Sequence, residues 1–527
     1  MRFKSRNIEI KIMLRYWMGG MIVTFLTLPM WGQLVDQTLA PNTAKVGILK
    51  SLQSEIGAGR GDVMTPTSST FIIQRDPFRS VRRGRQLFQR KFTTLQGRGS
   101  GPGDGAGDIG SNNAIGAGVA DSCAACHGRP RGSAGSGGDV ATRPDSRDAP
   151  HLFGIGLKEM LADEITSDLR GIRDATIARA LAKGRTVSAV LISKGIKYGT
   201  ITANSAGAVD LSLIEGVDAD LRVKPFFAEG SMSSLREFIS TAFHNELGMN
   251  TNDPDLITAA GGARVVTPSG MVLDGAKDKI QGPPTPNPGT GSEVNTALVD
   301  HLEFYLLNYF KPGHDKQTST TERGRDVFNR IGCSSCHVTN LTVNRDRRVA
   351  DLETDYDPTR GIFNTLFATA APLINVVNDG TSYPPLVQPA YKPFVVSDIF
   401  TDFKRHDLGP NFHERNYDGT MQTMFLTRPL WGVGSTGPYG HDGRSISLDA
   451  VILRHGGESQ QSRDAYAALT GEKSEALIAF LNSLVLFPPD DTASTLDPGN
   501  PSATGFPQAG HGSIKLTVLF NDPTDVE

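Results

Sequence analysis

The sequence predicts a mostly α fold with long loops and little β-structure, organised as two similar helical units. An eight-residue pattern, R-G-R-x-x-F-x-R, occurs at residues 83–90 and again at residues 323–330. A repeat of this kind is typical of a duplicated structural unit. Several stretches carry apolar residues at helical spacing, and 58 glycines and 31 prolines among 527 residues predict many loops between them.

Each repeat is followed by a C-x-x-C-H motif, and the two motifs hold all four cysteines of the chain. The motif is typical of covalent haem c attachment, because two thiols one helical turn apart can bond both vinyl groups while the adjacent imidazole reaches the iron. A redox disulfide or a zinc site also uses C-x-x-C, but neither requires the following histidine. We therefore predict two cytochrome c-like domains with two covalently bound haem c groups. The attachment residues are Cys123, Cys126, Cys333 and Cys336, with His127 and His337 as iron ligands.

Local patterns predict the elements in chain order. Residues 235–247 place apolar side chains on one helical face, and a second helix over 296–310 ends before a Pro-Gly pair that favours a domain boundary. The other predicted elements are a Gly-rich exposed loop over 95–120, broken helical segments over 157–181, closing helices over 449–455 and 474–486, and a short strand over 514–520.

These signals divide the chain into five regions. Residues 1–32 combine basic residues with an apolar run, the order of a signal peptide or an uncleaved anchor. After it follow an N-terminal extension (33–75), an N-terminal haem domain (76–311), a C-terminal haem domain (312–490) and a Pro/Gly-rich tail (491–527).

Composition narrows the partners and the compartment. The net charge is −3 with both signs interspersed, so nothing favours nucleic acid, and a small substrate and a redox partner are expected. The N-terminal segment predicts a periplasmic or secreted bacterial protein, since c-type haem is attached on that side of the inner membrane. Membrane contact is expected only if the segment stays uncleaved.

The second half carries three further motifs: R-P-L-W-G-V-G at residues 428–434, G-P-Y-G-H-D-G-R at 437–444 and I-L-R-H-G-G-E at 452–458. With the two C-x-x-C-H motifs, they resemble the dihaem cytochrome c peroxidase superfamily from about residue 83 to residue 488. The similarity is closest to the dihaem oxidoreductases of that superfamily. Its other members include the methylamine-utilisation maturation enzymes and the rubber oxygenases.

The resemblance implies a second ligand for the C-terminal haem fourteen residues after the histidine of the H-D-G motif. That histidine is His441, so the implied ligand is His455. A haem held by His337 and His455 would be closed to substrate, suited to electron transfer and lower in potential than a His/Met site. Alternatively, His455 is an ordinary helix histidine. Asp442 and Arg444 are expected to brace the haem region by hydrogen bonds and propionate pairing.

For the N-terminal haem, the resemblance implies a distal glutamate at the position of Glu246. A carboxylate there can take a proton from one oxygen of hydrogen peroxide and return it to the other. Arg236 could stabilise charge on the leaving oxygen, and Phe243 could line the same pocket. In the alternative interpretations, Glu246 is only a solvated face residue, or His244 or His151 ligates the iron and closes it.

Two family features are missing. The loop histidine that closes the resting haem in many relatives corresponds to Arg143, so the N-terminal haem is expected to be open. The tryptophan that lies between the haems has no counterpart. Tyr198, or a direct haem-to-haem path, would have to carry the electrons.

Two further segments match family motifs. Thr436 and Pro438 keep the residue types of a calcium-binding segment, whereas the matching asparagine of the first domain is Gly154. One side-chain ligand is therefore missing, and Ca²⁺ is an optional cofactor. His406 and Asp407 resemble a family H-D-x-G segment that suggests no role.

The residues and the resemblance together predict a peroxidase-like enzyme. The N-terminal haem would reduce hydrogen peroxide with electrons relayed by the C-terminal haem from an external donor such as a small cytochrome c or a cupredoxin. One alternative is an oxygenase that uses O₂, although residues 227–228 read Phe-Ala where the rubber oxygenases carry a tryptophan. Another is a non-enzymatic electron carrier with both irons six-coordinate.

Overall fold

The computed structural model describes residues 52–93, 96–98, 120–127, 149–284, 293–309, 311–315, 317–356, 366–377, 380, 385–387, 393–416 and 419–486. All of them fall in one compact unit, 35–527. Within these residues, no helix is both long enough and apolar enough to cross a membrane. The predicted signal segment, most of the 95–120 loop, Arg143, the tail and the 514–520 strand lie outside the described residues.

Helices dominate the described chain, as predicted. They are α1 (Leu52–Ile56), α2 (Ser69–Arg75), α3 (Pro77–Gln89), α4 (Cys123–His127), α5 (Ile155–Lys183), α6 (Leu235–Leu247), α7 (Pro254–Ala260), α8 (Thr296–Leu307), α9 (Ser319–Arg330), α10 (Leu448–Arg454), α11 (Gln460–Ala467) and α12 (Gly471–Asn482). The α6 helix has the predicted bounds, because Ser234 and Glu237 form a capping box and Gly248 ends it in the left-handed conformation.

The two R-G-R repeats lie at equivalent helix crossings. The α3 helix packs against α8, and α9 packs against α12. A Cβ added at Gly84 would overlap the carbonyl oxygen of His301, and one added at Gly324 would overlap that of Ala476. Each repeat therefore uses its glycine to bring one helix backbone against another, which explains why the pattern recurs.

The α5 helix corrects the prediction of broken segments over 157–181. It is one helix of 29 residues, in spite of Thr166, Gly171 and Thr176 in its interior. The two threonine hydroxyls donate to the carbonyls of Ala162 and Ile172, both at 2.7 Å, so neither competes for another partner. A single exposed glycine lowers helix stability by about 1 kcal/mol relative to alanine, a loss that a long helix tolerates.

The strands are short and form small antiparallel sheets. They are β1 (Val187–Ser193), β2 (Ile196–Ala203), β3 (Val209–Ile214), β4 (Arg264–Val266), β5 (Val272–Asp274), β6 (Gly313–His314), β7 (Leu341–Val343), β8 (Ala350–Tyr356), β9 (Leu366–Pro372), β10 (Asn375–Val376), β11 (Leu386–Val387), β12 (Phe394–Val396), β13 (Arg405–Asp407), β14 (Glu414–Arg415), β15 (Met421–Gln422), β16 (Met424–Leu426) and β17 (Leu484–Val485). The largest described sheet has the order β1-β2-β3, and the others pair two strands. The β1–β3 meander was not predicted, although its β-branched residues and the Lys194-Gly195 turn are typical of a hairpin.

The largest hydrophobic cluster contains residues from both sides of the predicted 311/312 boundary. It joins α5, α6 and α8 to Val343, Ile399 and Trp431 of the second half. A smaller cluster lies under the second C-x-x-C-H motif and includes Phe328, Phe400 and residues of α12. The two halves therefore share one packed interior.

Candidate functional site

The second C-x-x-C-H motif follows α9 directly. Gly332 takes the left-handed conformation, with φ of 90°, and starts a 3₁₀ turn at Cys333–Ser335. The Nδ1 atom of His337 lies 3.0 Å from the carbonyl oxygen of Phe400. A bond from Nδ1–H to a carbonyl fixes the imidazole and leaves Nε2 as the ligand atom, the usual arrangement of a metal-bound histidine.

His455 ends α10 in the same tautomeric arrangement. Its Nδ1 atom lies 2.7 Å from the carbonyl oxygen of Val451, so Nε2 is again left for a metal. Burial, opposed by that carbonyl and aided by His337 nearby, lowers the pKa of His455 to about 4. The imidazole is therefore neutral at pH 7, the form that binds iron.

One cavity of about 350 Å³ brings these groups together. Cys333, Cys336, His337 and His455 all line it. Its other walls are mainly aromatic and aliphatic and include Phe328, Phe412, Leu448, Ile452, Leu477 and Leu481. Two thiols, two neutral imidazoles with available Nε2 atoms and apolar walls are the donor set that a haem requires. These residues fit the predicted C-terminal haem.

A charged pair supports His455. The Arg454 guanidinium donates hydrogen bonds to the carboxylate of Asp442, and Asp442 is only 2% exposed. The same guanidinium lies 4.3 Å from the ring centroid of Phe412. Phe412 in turn meets the His455 imidazole edge-on, with centroids 5.2 Å apart. Asp442 thus braces the ligand through Arg454 and Phe412. Arg444 has a half-exposed side chain 3.5 Å from Asp442 and makes a weaker contact.

The first C-x-x-C-H motif is the short helix α4. The Nδ1 atom of His127 lies 2.7 Å from the carbonyl oxygen of Pro150, the same arrangement as in the second motif. Burial lowers the pKa of His127, while Pro150 and the carboxylate of Glu246 oppose that effect. The main chain of Glu246 also accepts a hydrogen bond of 3.2 Å from Ala120, three residues before Cys123. The structure therefore brings Glu246 and the first motif together.

Arg236 is placed differently from the predicted catalytic position. Its guanidinium is fully buried and bonded to Asp253, Asp300 and Glu303, with shortest distances of 2.6, 2.9 and 2.9 Å. Arg60, from the N-terminal extension, joins the same network through Asp300. With its donors directed to these carboxylates, Arg236 is an internal ion-pair residue and not a contact for peroxide.

Phe243 and His244 lie on the buried face of α6. The ring of Phe243 packs edge-on against Phe92, with centroids 5.8 Å apart, inside the main core. The apolar face of α6 therefore turns inward, and the same cluster contains Ala124 of the first motif, so the role of Phe243 as a pocket wall stays a prediction. His244 is buried, with Nδ1 3.1 Å from Oδ1 of Asn250. This contact uses Nδ1, so ligation of the first haem by Nε2 of His244 remains an alternative.

His151 connects the two halves. Its Nε2 atom lies 2.7 Å from the carbonyl oxygen of Trp431, and burial lowers its pKa to about 4. That bond occupies Nε2 and leaves Nδ1 as the buried nitrogen of His151 without a hydrogen-bond partner among the described residues. Gly154, three residues after His151, has a φ of 67°, and a Cβ added to it would collide with the Trp431 ring. A calcium-binding asparagine would not fit at this position, and the prediction of Ca²⁺ is left with Thr436 and Pro438 on the cavity wall.

The matched family model agrees with this geometry. Residues 372–484 match the model described as di-haem oxidoreductase, putative peroxidase. Over that segment, the match confirms the predicted resemblance to the dihaem cytochrome c peroxidase superfamily. The matched dihaem oxidoreductase segment contains His455 and its support from Asp442 and Arg454, and the family implies haem cofactors. A search of curated proteins found no significant match.

Solved structures show weak similarity to this chain. A MauG-like protein associated with microbial copper homeostasis has 14% identity and a TM-score of 0.30, over 77% of this chain and 88% of that one. Hydrazine synthase from Kuenenia stuttgartiensis has 15% identity and a TM-score of 0.22, over 36% of this chain and 55% of that one. The alignment thus spans about half the length of the hydrazine synthase chain.

Sequence reasoning missed a charged cluster beside the second C-x-x-C-H motif. His406 lies 2.9 Å from Asp402 and 2.7 Å from Glu458, and its side chain is close to the Cys336 sulfur. Burial opposes charging, but the hydrogen bond and the charge of Asp402 outweigh it and raise the pKa of His406. The H-D-x-G segment could have suggested this cluster. Tyr198 is also near, because its hydroxyl donates to the carbonyl of Asp402 at 2.8 Å.

Proposed function

We propose that this chain is an exported dihaem c-type oxidoreductase that reduces hydrogen peroxide at its N-terminal haem. The observation that carries the proposal is the difference between the two histidine motifs. His337 faces a cavity that also holds a second neutral imidazole, that of His455. His127 lies within electrostatic range of a carboxylate, that of Glu246. One site is thus equipped to hold electrons and the other to move protons.

The protein side chains have separate tasks in this proposal. Bound haem supplies the electron-transfer and peroxide-reducing chemistry. His127 and His337 would hold the two irons through Nε2, with each Nδ1 fixed by a backbone carbonyl. The Glu246 carboxylate would accept a proton from one peroxide oxygen and deliver it to the other, so that water leaves. His455 would keep small molecules from the second iron.

Turnover of the purified dihaem protein with hydrogen peroxide and a reduced small cytochrome c tests the proposal. We expect peroxide-dependent oxidation of the cytochrome and one high-spin and one low-spin signal in the ferric electron paramagnetic resonance spectrum. Absence of turnover with cytochrome and cupredoxin donors, despite a high-spin haem, would contradict it. A stable oxygenated spectrum, with cleavage of an added polyisoprene, would indicate the oxygenase alternative instead.

The second candidate is a non-enzymatic electron carrier. It is favoured by His244, whose buried imidazole also turns Nδ1 toward an oxygen acceptor and leaves Nε2 for an iron. This candidate predicts two low-spin haems whose spectra neither peroxide nor carbon monoxide alters. A His244→Ala variant separates the candidates, because only the carrier would gain a high-spin haem on its N-terminal side.

Export is a separate part of the proposal and rests on residues 1–32. Mass spectrometry of the mature N-terminus from a periplasmic fraction tests it. A shortened chain indicates a cleaved signal, and a full-length chain in the membrane fraction indicates an anchor.

A further inference from the structure

Lys158 is a buried cation on the wall of the haem-sized cavity. It lies in the first turn of α5, is 9% exposed and lines the cavity together with His337 and His455. Its Nζ atom lies 5.6 Å from the ring centroid of Phe226. Among the described residues, no carboxylate forms an ion pair with it. An aromatic face compensates only part of the hydration that a buried ammonium loses.

The position is unfavourable for a lysine in two respects. Burial, together with the positive charge of Arg428, lowers the pKa of Lys158 to about 7. The amino end of a helix also carries a partial positive charge, which disfavours a cation in the first turn and favours an anion. An apolar residue could fill this position without either penalty. An anion in the cavity would remove both penalties and so explains a lysine at this position.

The charges on the cavity wall agree with this explanation. Arg428 lines the same cavity and is close enough to influence both Lys158 and His151. Glu458 is the only carboxylate among the described lining residues, and its Oε2 atom is bound to His406 at 2.7 Å. The wall thus carries more positive than negative charge and is suited to a carboxylate.

We propose that Lys158, together with Arg428, binds a carboxylate within this cavity. The carboxylate belongs either to a propionate of the haem attached at residues 333–337 or to a small free carboxylate. The inference rests on the proposed haem cofactor but not on peroxide as the substrate. In the propionate case, a residue of the N-terminal half would bind the haem of the C-terminal half.

A cation beside a haem carboxylate favours the reduced iron, because reduction removes one positive charge from the site. Lys158→Gln should therefore lower the midpoint potential of the low-spin haem, with an expected shift of about tenfold in the reduction equilibrium. That shift equals roughly 59 mV for one electron. Lys158→Arg keeps the charge and should stay near the wild-type potential.

Spectroelectrochemical titration of the dihaem protein, with and without added sodium formate, tests the inference. The control is Lys197→Gln, since the Lys197 side chain is 60% exposed on β2. If Lys158→Gln has a lower potential than the wild-type protein and formate changes neither potential, the bound carboxylate is the haem propionate. A wild-type potential that changes with formate, and no such change in Lys158→Gln, indicates a free carboxylate.

A haem-loaded Lys158→Gln protein with the potential of the Lys197→Gln control, in both buffers, overturns the inference alone. Protein that carries no covalent haem overturns it together with the proposed function. Absence of peroxide turnover in the wild-type protein, together with the expected potential shift in Lys158→Gln, contradicts only the proposed function. If Lys158→Gln does not fold, Arg428→Gln is measured in the same way, and an unchanged potential again overturns the inference.

Discussion

The two C-x-x-C-H regions are alike at the attachment histidine and unlike beyond it. In both, Nδ1 of the histidine lies near a backbone carbonyl from a later segment, that of Pro150 for His127 and that of Phe400 for His337. The second histidine shares a cavity with His455, whereas the first lies within electrostatic range of Glu246. With haem bound as proposed, the attachment motif would fix where each iron is held, and the facing side chain would determine what that iron can do.

The most direct way to break this comparison is to remove the facing imidazole. In His455→Ala, the second haem should change completely from low-spin to high-spin and bind carbon monoxide, because its sixth ligand is lost. Electron paramagnetic resonance and carbon monoxide difference spectra measure the change. His413→Ala serves as the control, since His413 is bonded to Asp407 outside the cavity. A persistent low-spin signal in His455→Ala would show that another residue is the ligand.

Removal of the facing carboxylate tests the first region. Glu246→Gln keeps the side-chain shape but cannot accept the proton, so peroxide turnover should fall by roughly 10²- to 10⁴-fold. The low-spin signal of the second haem should not change. Asp174→Asn, at a side chain that is 64% exposed, is the matched control for loss of one carboxylate. Equal turnover in the two variants would leave Glu246 as a solvated surface residue.

The α3–α8 and α9–α12 crossings allow the two regions to be compared in their contributions to folding stability. Gly84→Ala and Gly324→Ala should each lower the free energy of unfolding by about 1–3 kcal/mol, since the added methyl group overlaps a helix carbonyl. Gly171→Ala, in the open interior of α5, should raise it by about 0.5–1 kcal/mol. Thermal unfolding measures all three. Similar losses at both crossings are expected if the two repeats are structurally equivalent.

The smallest expected effect is a loss of folding stability at acid pH that originates in the C-terminal half. Burial opposes ionisation of Asp398, but hydrogen bonds from His314 and Arg325 outweigh it and lower its pKa from 3.8 to about 2. A lowered native pKa gives stability that is present above pH 4 and is lost as the pH falls from 4 to 2. After allowance for solvent screening, the contribution is about 1 kcal/mol.

The matched variant for this prediction is Asp398→Asn. Its urea unfolding curve should lose the extra pH dependence between pH 4 and 2 while that of the wild-type protein keeps it. An identical pH dependence in the two proteins would mean that the ion pairs with His314 and Arg325 contribute nothing to the pH dependence of stability.

Local signals predicted the parts of the fold that local interactions determine. Both ends of the α6 helix were predicted correctly, because its apolar periodicity and its capping residues lie within or next to the helix in sequence. The matched family model confirmed the resemblance that suggested His455. By contrast, the direction of Arg236 depends on Asp253, Asp300 and Glu303, which come from other parts of the chain. Sequence periodicity predicts that a side chain lies on a buried face, but it does not identify the ion-pair partners that the side chain meets.

The network around Arg236 has a practical consequence for producing the protein. Arg60 binds the buried Asp300 at 2.5 Å and also Asp255 at 2.8 Å, and Ser69 donates to Asp300. A shortened chain starting at Asp76 would remove these partners and leave a buried carboxylate undercompensated, at a cost of about 3–5 kcal/mol. The sequence that precedes the first haem motif is thus an internal component of the fold, and recombinant versions should retain it from residue 52 onward.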